Sequence, residues 1–265
     1  MTKRIKVYSI LFLALTLTFT VGVMTMEYNV ASGGILDPPS LTHPCGTDVL
    51  GVDIFGQVSK SFFSSMFTGI CAALFAAVLG GIFGVLAGYI GGKTDTLITF
   101  IINVFLSVPD LPVMILIGAF LGQSRANIII IVAVFSWAPI AKIVRAKTID
   151  IRNSGYLRMA ECYGGRLRYL FRVHMYRDIL PLVIVNGLFV VGKAIVQESS
   201  LAFLGLSDPT ARSWGLMINK ALSYNGIYFT DYWKWWLMTP LICLVCVTVL
   251  LRLFAKEFER IMLMN

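Results

Sequence analysis

Between Lys60 and Lys93 the chain carries no charged side chain at all; residues 61–92 are one unbroken uncharged run. A helix needs about 20 apolar residues to cross the ~30 Å hydrocarbon core of a bilayer, and this run exceeds that. A water-soluble domain of 265 residues has no use for such a stretch. In lipid every backbone N–H and C=O must be paired within the segment, so the run is predicted to be a membrane-spanning helix. Whatever else the chain does, it does it in a membrane.

The composition agrees. The chain is 57% hydrophobic and 14% charged, and its mean hydropathy is +0.81. A net charge of +8 could point to nucleic acid, but the basic residues alternate with apolar spans instead of gathering on one surface, and no nucleic-acid partner is expected. Lys3, Arg4 and Lys6 precede an uncharged run from Val7 to Met26. That run is longer than a cleavable signal's apolar region of ~7–15 residues, and no A-x-A-like site follows it, so it reads as a retained span. Further spans are predicted at 66–90, 96–122, 127–145, 179–200 and 234–253, six in all. Counted from a cytoplasmic N-terminus, the inside segments hold 16 Lys and Arg and the outside segments five, while Asp and Glu divide six and six outside the spans. An asymmetry in positive charge alone orients the protein with both termini inside.

The five cysteines, Cys45, Cys71, Cys162, Cys243 and Cys246, are scattered and do not suggest a disulfide framework. Cys243 and Cys246 lie in an apolar helix, where packing is the expected role. Gly80, Gly81, Gly84 and Gly88 give the small-x-x-x-small spacing of closely packed helices. Trp233, Trp235 and Trp236 read as an interfacial anchor for the last span.

Apart from basic residues near span ends, three charges fall within spans, where they are costly and suggest function. Lys193 and Glu198 are roughly 140° apart around a helix and are not expected to pair with each other. Lys193 either lines a cavity or meets a neighbouring subunit. Glu198 is either a pore or gate residue or a helix-end group reaching interfacial water. Asp110, between Pro109 and Pro112, either satisfies amides freed by a broken helix or takes part in transport. Outside, His43, Cys45, Asp48 and Asp53 are competent metal ligands, but their spacing matches no strong site, and a capped, turn-rich loop is the expected structure.

The inside loop, 146–178, is too long and too basic for a simple turn. Tyr156, Met159, Ala160 and Tyr163 recur at helical spacing to make one apolar face, and Gly164-Gly165 stops that helix. Leu167, Leu170, Phe171, His174 and Met175 form a second face, and Arg158, Arg166, Arg168, Arg172 and Arg177 surround both. Such a helix can lie on anionic lipid or dock in a groove of a soluble partner.

Six ordered motifs then resemble one family, the inner-membrane permease subunits of ATP-binding-cassette (ABC) importers for dipeptides, oligopeptides and nickel. His43-Pro-Cys-Gly-Thr-Asp-Val-Leu-Gly-Val-Asp53 is similar to its outer H-P-L-G-T-D-x-L-G-R-D. Ala87-Gly-Tyr-Ile-Gly-Gly-Lys-Thr-Asp95 is similar to A-G-Y-x-G-G-x-x-D, and Ser136 to Arg145 to S-W-x-x-x-A-R-x-V-R. The inside loop resembles the E-A-A-x-x-x-G signature. Glu198 to Leu206 resembles E-x-S-L-S-F-L-G-L, and Ser213 to Asn219 resembles S-W-G-x-M-L-N. Three positions depart from the pattern: Arg158 stands where the leading acid belongs, Val52 replaces an outer arginine, and Asn103 stands where an aspartate is common.

The resemblance implies an all-α membrane protein with six transmembrane helices, N-in and C-in, in the type I ABC importer permease fold. It would divide into an N-terminal helix with an outer segment, 1–60, and a five-helix permease core, 61–265. The implied coupling helix holds Arg158, Met159, Ala160, Glu161, Tyr163 and Gly164. Lys193, Glu198 and Asp110 are the pore or gate candidates. The implied partners are a second homologous permease subunit, two cytoplasmic ATP-binding subunits that hold ATP and Mg, an extracytoplasmic substrate-binding protein and membrane lipid. The chain itself is expected to hold no cofactor and no metal and to be no enzyme, since it lacks a G-x-x-x-x-G-K-[ST] loop. Its expected place is the inner or plasma membrane of a prokaryote. The interval from Gly164 to Pro181, with His174 near its middle, and the stretch from Asp208 to Gly215 lean toward the nickel branch over peptides. The alternative is a stand-alone secondary transporter, a class that often shows inverted repeats absent from this sequence.

Overall fold

A computed structural model describes residues 3–165, 167–208 and 210–264. Its elements are helices: α1 Lys3–Thr25, α2 Ile54–Ile90, α3 Gly92–Ser107, α4 Asp110–Leu121, α5 Arg125–Arg152, α6 Gly155–Cys162, α7 Leu167–Leu170, α8 Tyr176–Phe203, α9 Trp214–Leu222 and α10 Met238–Met264. Wide π-type turns at Phe171–Met175 and Trp233–Leu237 lead into α8 and α10. Among the described residues, five helices are long and apolar enough to cross a bilayer, and α3 with α4 makes a sixth, broken span bent by 91°.

The helix boundaries follow from local chemistry. Asp53 caps α2, its Oδ1 accepting the Gly56 N–H at 2.7 Å. The helix therefore starts well before the apolar run and is 37 residues long, about 55 Å. It ends at Gly91, whose φ of +72° a side chain would oppose. The break between α3 and α4 falls at Val108 and Pro109. Pro109 alone accounts for it, because Pro112 sits in the first turn of α4, where an N–H has no intrahelical partner anyway.

The core is α2 and α5 running side by side, with α8 antiparallel across α2. The glycine spacing has a direct structural reading. A Cβ on Gly80, Gly84 or Gly88 would stand 2.7 Å from the Cβ of Ile140, Val144 or Thr148 respectively. Both helices advance four residues per contact, so one row of glycines admits one ridge of α5. Gly81 does not belong to this row and faces Val183 of α8 at ordinary contact distance. At the outer end, Phe19 of α1, Phe62 of α2 and Trp214 of α9 form an aromatic cluster. Trp214 is fully buried and donates from Nε1 to the Val58 carbonyl at 3.2 Å. The outer segment after α8 is thus folded back onto α2. Trp236 also turns inward, into a cluster with Tyr224, so of the tryptophan trio only Trp233 is exposed as an interfacial anchor would be.

Two of the sequence motifs meet at the inner end. Arg145 of α5 grips both carboxylate oxygens of Asp95 in the first turn of α3, with Nη2 at 2.6 Å from Oδ2. A bidentate pair at the start of the broken span holds it against α5. Asp95→Asn is expected to cost roughly 1–2 kcal/mol, read as a lower melting temperature of the purified complex.

Candidate functional site

The inside loop folds as α6, a tight stop and then α7. Leu157 is fully buried and anchors α6 to the body, whereas Tyr156, Met159 and Tyr163 point outward, Met159 being 59% and Tyr163 86% exposed. A face this apolar, left uncovered at the end of a helix pair, is unusual for a water-exposed surface. Gly164 ends the helix at φ +84°, and the Gly165 N–H returns to the Ala160 carbonyl at 3.0 Å. Ala160, Tyr163 and Gly164 line a hollow of about 570 Å³ with Gly165 and Tyr169. Arg158 lines a separate hollow with Arg152, Asn153 and Cys162 and donates to Asn153 Oδ1 at 3.2 Å. Of the six residues predicted here, the Glu161 side chain lies outside the described residues, as do Arg166 and the Arg168 side chain from the basic rim.

The three in-membrane charges fall into two clusters. Lys193 Nζ stands 2.6 Å from Asp110 Oδ2, and Gln197, one turn along α8, donates to the same oxygen at 2.9 Å. Asp110 Oδ1 also accepts the Leu111 N–H at 2.9 Å. Asp110 therefore satisfies an amide next to the break and holds α8 as well. Lys193 is ten residues, about 15 Å, below the outer end of α8, close to mid-membrane. Its partner lies within this chain, and sequence reasoning had no signal for that pairing across 83 positions. The pair is not sealed: the side chains are 40% and 35% exposed. Lys193→Met is expected to destabilise the protein by about 1–2 kcal/mol, below the 3–5 kcal/mol of a fully buried pair. Lys193→Met with Asp110→Leu should recover much of that loss in a thermal melt.

Glu198, one residue beyond Gln197, is buried and turns elsewhere. Ser65 of α2 and Ser199 donate to its Oε2 at 3.0 and 3.4 Å, with Ser213 close by. This joins the fifth and sixth motifs to α2. Ser65 and Gln197 were not singled out from the sequence, because a serine or glutamine becomes informative only beside the charge it serves.

The outer loop is tied together by its own side chains. His43 Nδ1 lies 2.8 Å from Asp53 Oδ2. Asp48 Oδ1 accepts the N–H groups of Leu50 and Val52, and its Oδ2 accepts from Gln57. Burial, with Asp53 nearby, pushes the Cys45 thiol up, away from the thiolate that binds metal. Among the described residues no group of three or more His, Cys, Asp or Glu could hold a metal ion.

Residues 80–262 match the family described as binding-protein-dependent transport system inner membrane component. The dipeptide transport system permease protein of Bacillus subtilis is 32% identical over 186 residues, covering 70% of this chain and 58% of its own length. The oligopeptide transport system permease protein of the same organism is 29% identical over 230 residues, 85% of this chain and 73% of that protein. A glutathione transport system permease protein of Escherichia coli is 35% identical over 184 residues, 69% of this chain and 61% of that protein. The chain thus spans under two thirds of the length of two of these relatives. In fold, a chain of the MetNI methionine ABC transporter in an inward-facing conformation superposes with a TM-score of 0.62 at 16% identity, over 78% of this chain and 96% of that one.

Proposed function

Because this chain belongs to the binding-protein-dependent transport system inner membrane component family, a multi-pass membrane family, we propose that it is the permease subunit of an ATP-driven importer and forms half of a translocation path. The observation that carries this reading is the uncovered face of Tyr156, Met159 and Tyr163 on the cytoplasmic side, beside a buried Leu157 that ties it to the membrane body. A helix anchored on one side and apolar on the other can transmit a push. Closure of two ATP-binding subunits gripping α6 would move the attached helices as rigid bodies. ATP and Mg belong to those partners, since the chain has no phosphate loop of its own. A second permease subunit and an extracytoplasmic binding protein complete the assembly.

The half-exposed Asp110–Lys193 pair supports the pore side of this reading. Charges at mid-membrane are tolerated where they face a water-filled path, not lipid. Glu198, buried in its serine cluster, acts as a structural joint between α8, α2 and the outer segment.

For the substrate, small peptides fit best. The relatives reported above carry peptide and glutathione names, and the features that lean toward nickel have local structural accounts. His174 lies between the rings of Tyr156 and Tyr169, at centroid distances of 5.9 and 6.3 Å. The Gly164–Pro181 interval around it holds the wide turn Phe171–Met175, the form that an inserted residue takes in a helix. Asp208 accepts the Thr210 N–H and hydroxyl at 2.8 and 2.6 Å, bonds that also hold its carboxyl below the usual range. The test is direct: in the reconstituted transporter, a di- or tripeptide-loaded binding protein should stimulate ATP hydrolysis and uptake. Stimulation by a nickel-loaded protein alone would reverse the substrate assignment, and uptake driven by an ion gradient without ATPase subunits would reverse the class.

A further inference from the structure

A cavity of about 430 Å³ opens on the outer half of the molecule and shares no lining residue with α6 or with the Asp110–Lys193 pair. Three cations converge on it: Lys60 of α2, Arg125 at the start of α5 and Arg212 just before α9. Each is oriented by a neutral group. The Lys60 ammonium sits 5.4 Å from the centroid of the Tyr28 ring. Arg125 Nη2 donates to Ser64 Oγ at 3.0 Å. Arg212 Nη1 and Nη2 donate to Gln57 Oε1 and Asn29 Oδ1, both at 3.2 Å. Among the described residues no carboxylate oxygen comes within ion-pair distance of any of the three. Glu198 and Asp208 act on Arg125 only at longer range, without reaching it as ion-pair partners, and so offset its charge in part. Like charges drawn together and aimed into one cavity without a direct ion-pair partner call for an anion.

The depth of the cavity says which anion. About 20–25 residues of α2 counted outward from Ile90 fill the hydrocarbon core and end near Phe67. Counting about 20 residues outward along α5 from Arg145 ends at Arg125. Two helices thus put the cations at headgroup level, with Lys60 about 10 Å further out on a stem long enough to reach back. Below them, Phe63, Phe67, Ile70, Leu74 and Val78 are exposed on one face of α2 and make an apolar ridge running inward from the cavity. A soluble carboxylate or free phosphate would use the cations and leave the ridge bare.

We propose that this cleft binds an anionic phospholipid of the outer leaflet, its phosphate between Lys60, Arg125 and Arg212 and an acyl chain along the α2 ridge. The assignment rests on the membrane topology and is independent of the transport reading. To test it, the protein, purified from membranes together with any subunits that accompany it, is stripped in detergent and offered phosphatidylglycerol or phosphatidylcholine, and retained lipid is counted by native mass spectrometry. Wild type should retain phosphatidylglycerol preferentially. The triple variant Lys60→Gln, Arg125→Gln, Arg212→Gln should lose about a hundredfold of that preference, and each single variant about fivefold. Should the triple variant fail to assemble, the single variants decide. The charge-preserving set Lys60→Arg, Arg125→Lys, Arg212→Lys should keep the preference. Equal retention of both lipids by wild type, or an unchanged preference in the Gln variants, overturns the proposal. Displacement of the bound lipid by a free dipeptide, but not by its C-terminal amide, would give the cleft to a soluble carboxylate and overturn it as well.

Discussion

Replacing Met159 by Asp is expected to reduce ATP-driven uptake about a hundredfold while leaving the protein assembled in the membrane. Met159 is 59% exposed on α6, so the substitution disturbs little of the chain's own packing. In the proposed docked state the same side chain lies in the partner's groove, where an uncompensated carboxylate faces the cost of burial without a hydrogen bond. Truncating a buried interface anchor typically costs 2–4 kcal/mol, and 1.4 kcal/mol is a factor of ten. The discriminating measurement is paired: uptake and substrate-stimulated ATP hydrolysis fall together, while the yield and melting temperature of the permease stay at wild-type values. Met159→Leu, which keeps the apolar volume, should restore both activities. Wild-type uptake by the Asp variant would remove α6 from the transmission path.

The second large effect is expected at Gly84. A Cβ there would stand 2.7 Å from Val144 Cβ and 2.8 Å from the Ala141 carbonyl, inside van der Waals contact with backbone that cannot rotate away. Gly84→Ala should cost about 1–3 kcal/mol, the range of an overpacked core. Gly84→Leu adds three further heavy atoms and is expected to force α2 from α5 and remove folded protein from the membrane. Gly81→Ala is the control one residue away. Its Cβ would meet Val183 at 3.6 Å, ordinary contact, and α-helix propensity favours alanine. Melting temperatures of the two alanine variants separate the effect of lost flexibility, common to both, from close helix approach, which belongs to Gly84 alone.

Much of the architecture was legible beforehand because the bilayer imposes it. Long uncharged runs have one stable outcome in lipid, and lysine and arginine counts orient them. The spacing of Gly80, Gly84 and Gly88, the stop at Gly164 and the break beside Asp110 were legible for the same local reason: each depends on residues within one or two turns. Boundaries set by polar caps were not. Hydropathy begins α2 near Met66, but Asp53 and its bond to the Gly56 N–H start it a full three turns earlier. Nor was α9 legible, because its buried Trp214 is explained by a carbonyl on α2, 156 positions away.

The in-membrane charges mark the dividing line. Periodicity alone shows that Lys193 and Glu198 lie on different sides of α8, and that they are not each other's partners. Which groups neutralise them is decided by how α8 crosses the broken span and α2, a matter of side-chain packing among helices distant in sequence. The sequence by itself determined that this protein is a bundle of oriented membrane helices with an apolar, basic-rimmed cytoplasmic loop, since hydrophobic period and charge balance are additive along a chain. Only the tertiary structure decided that Asp110 holds Lys193, that Ser65 holds Glu198 and that Lys60, Arg125 and Arg212 share one cleft, since a polar group's free energy depends on the few atoms within about 3 Å, and the fold alone chooses those.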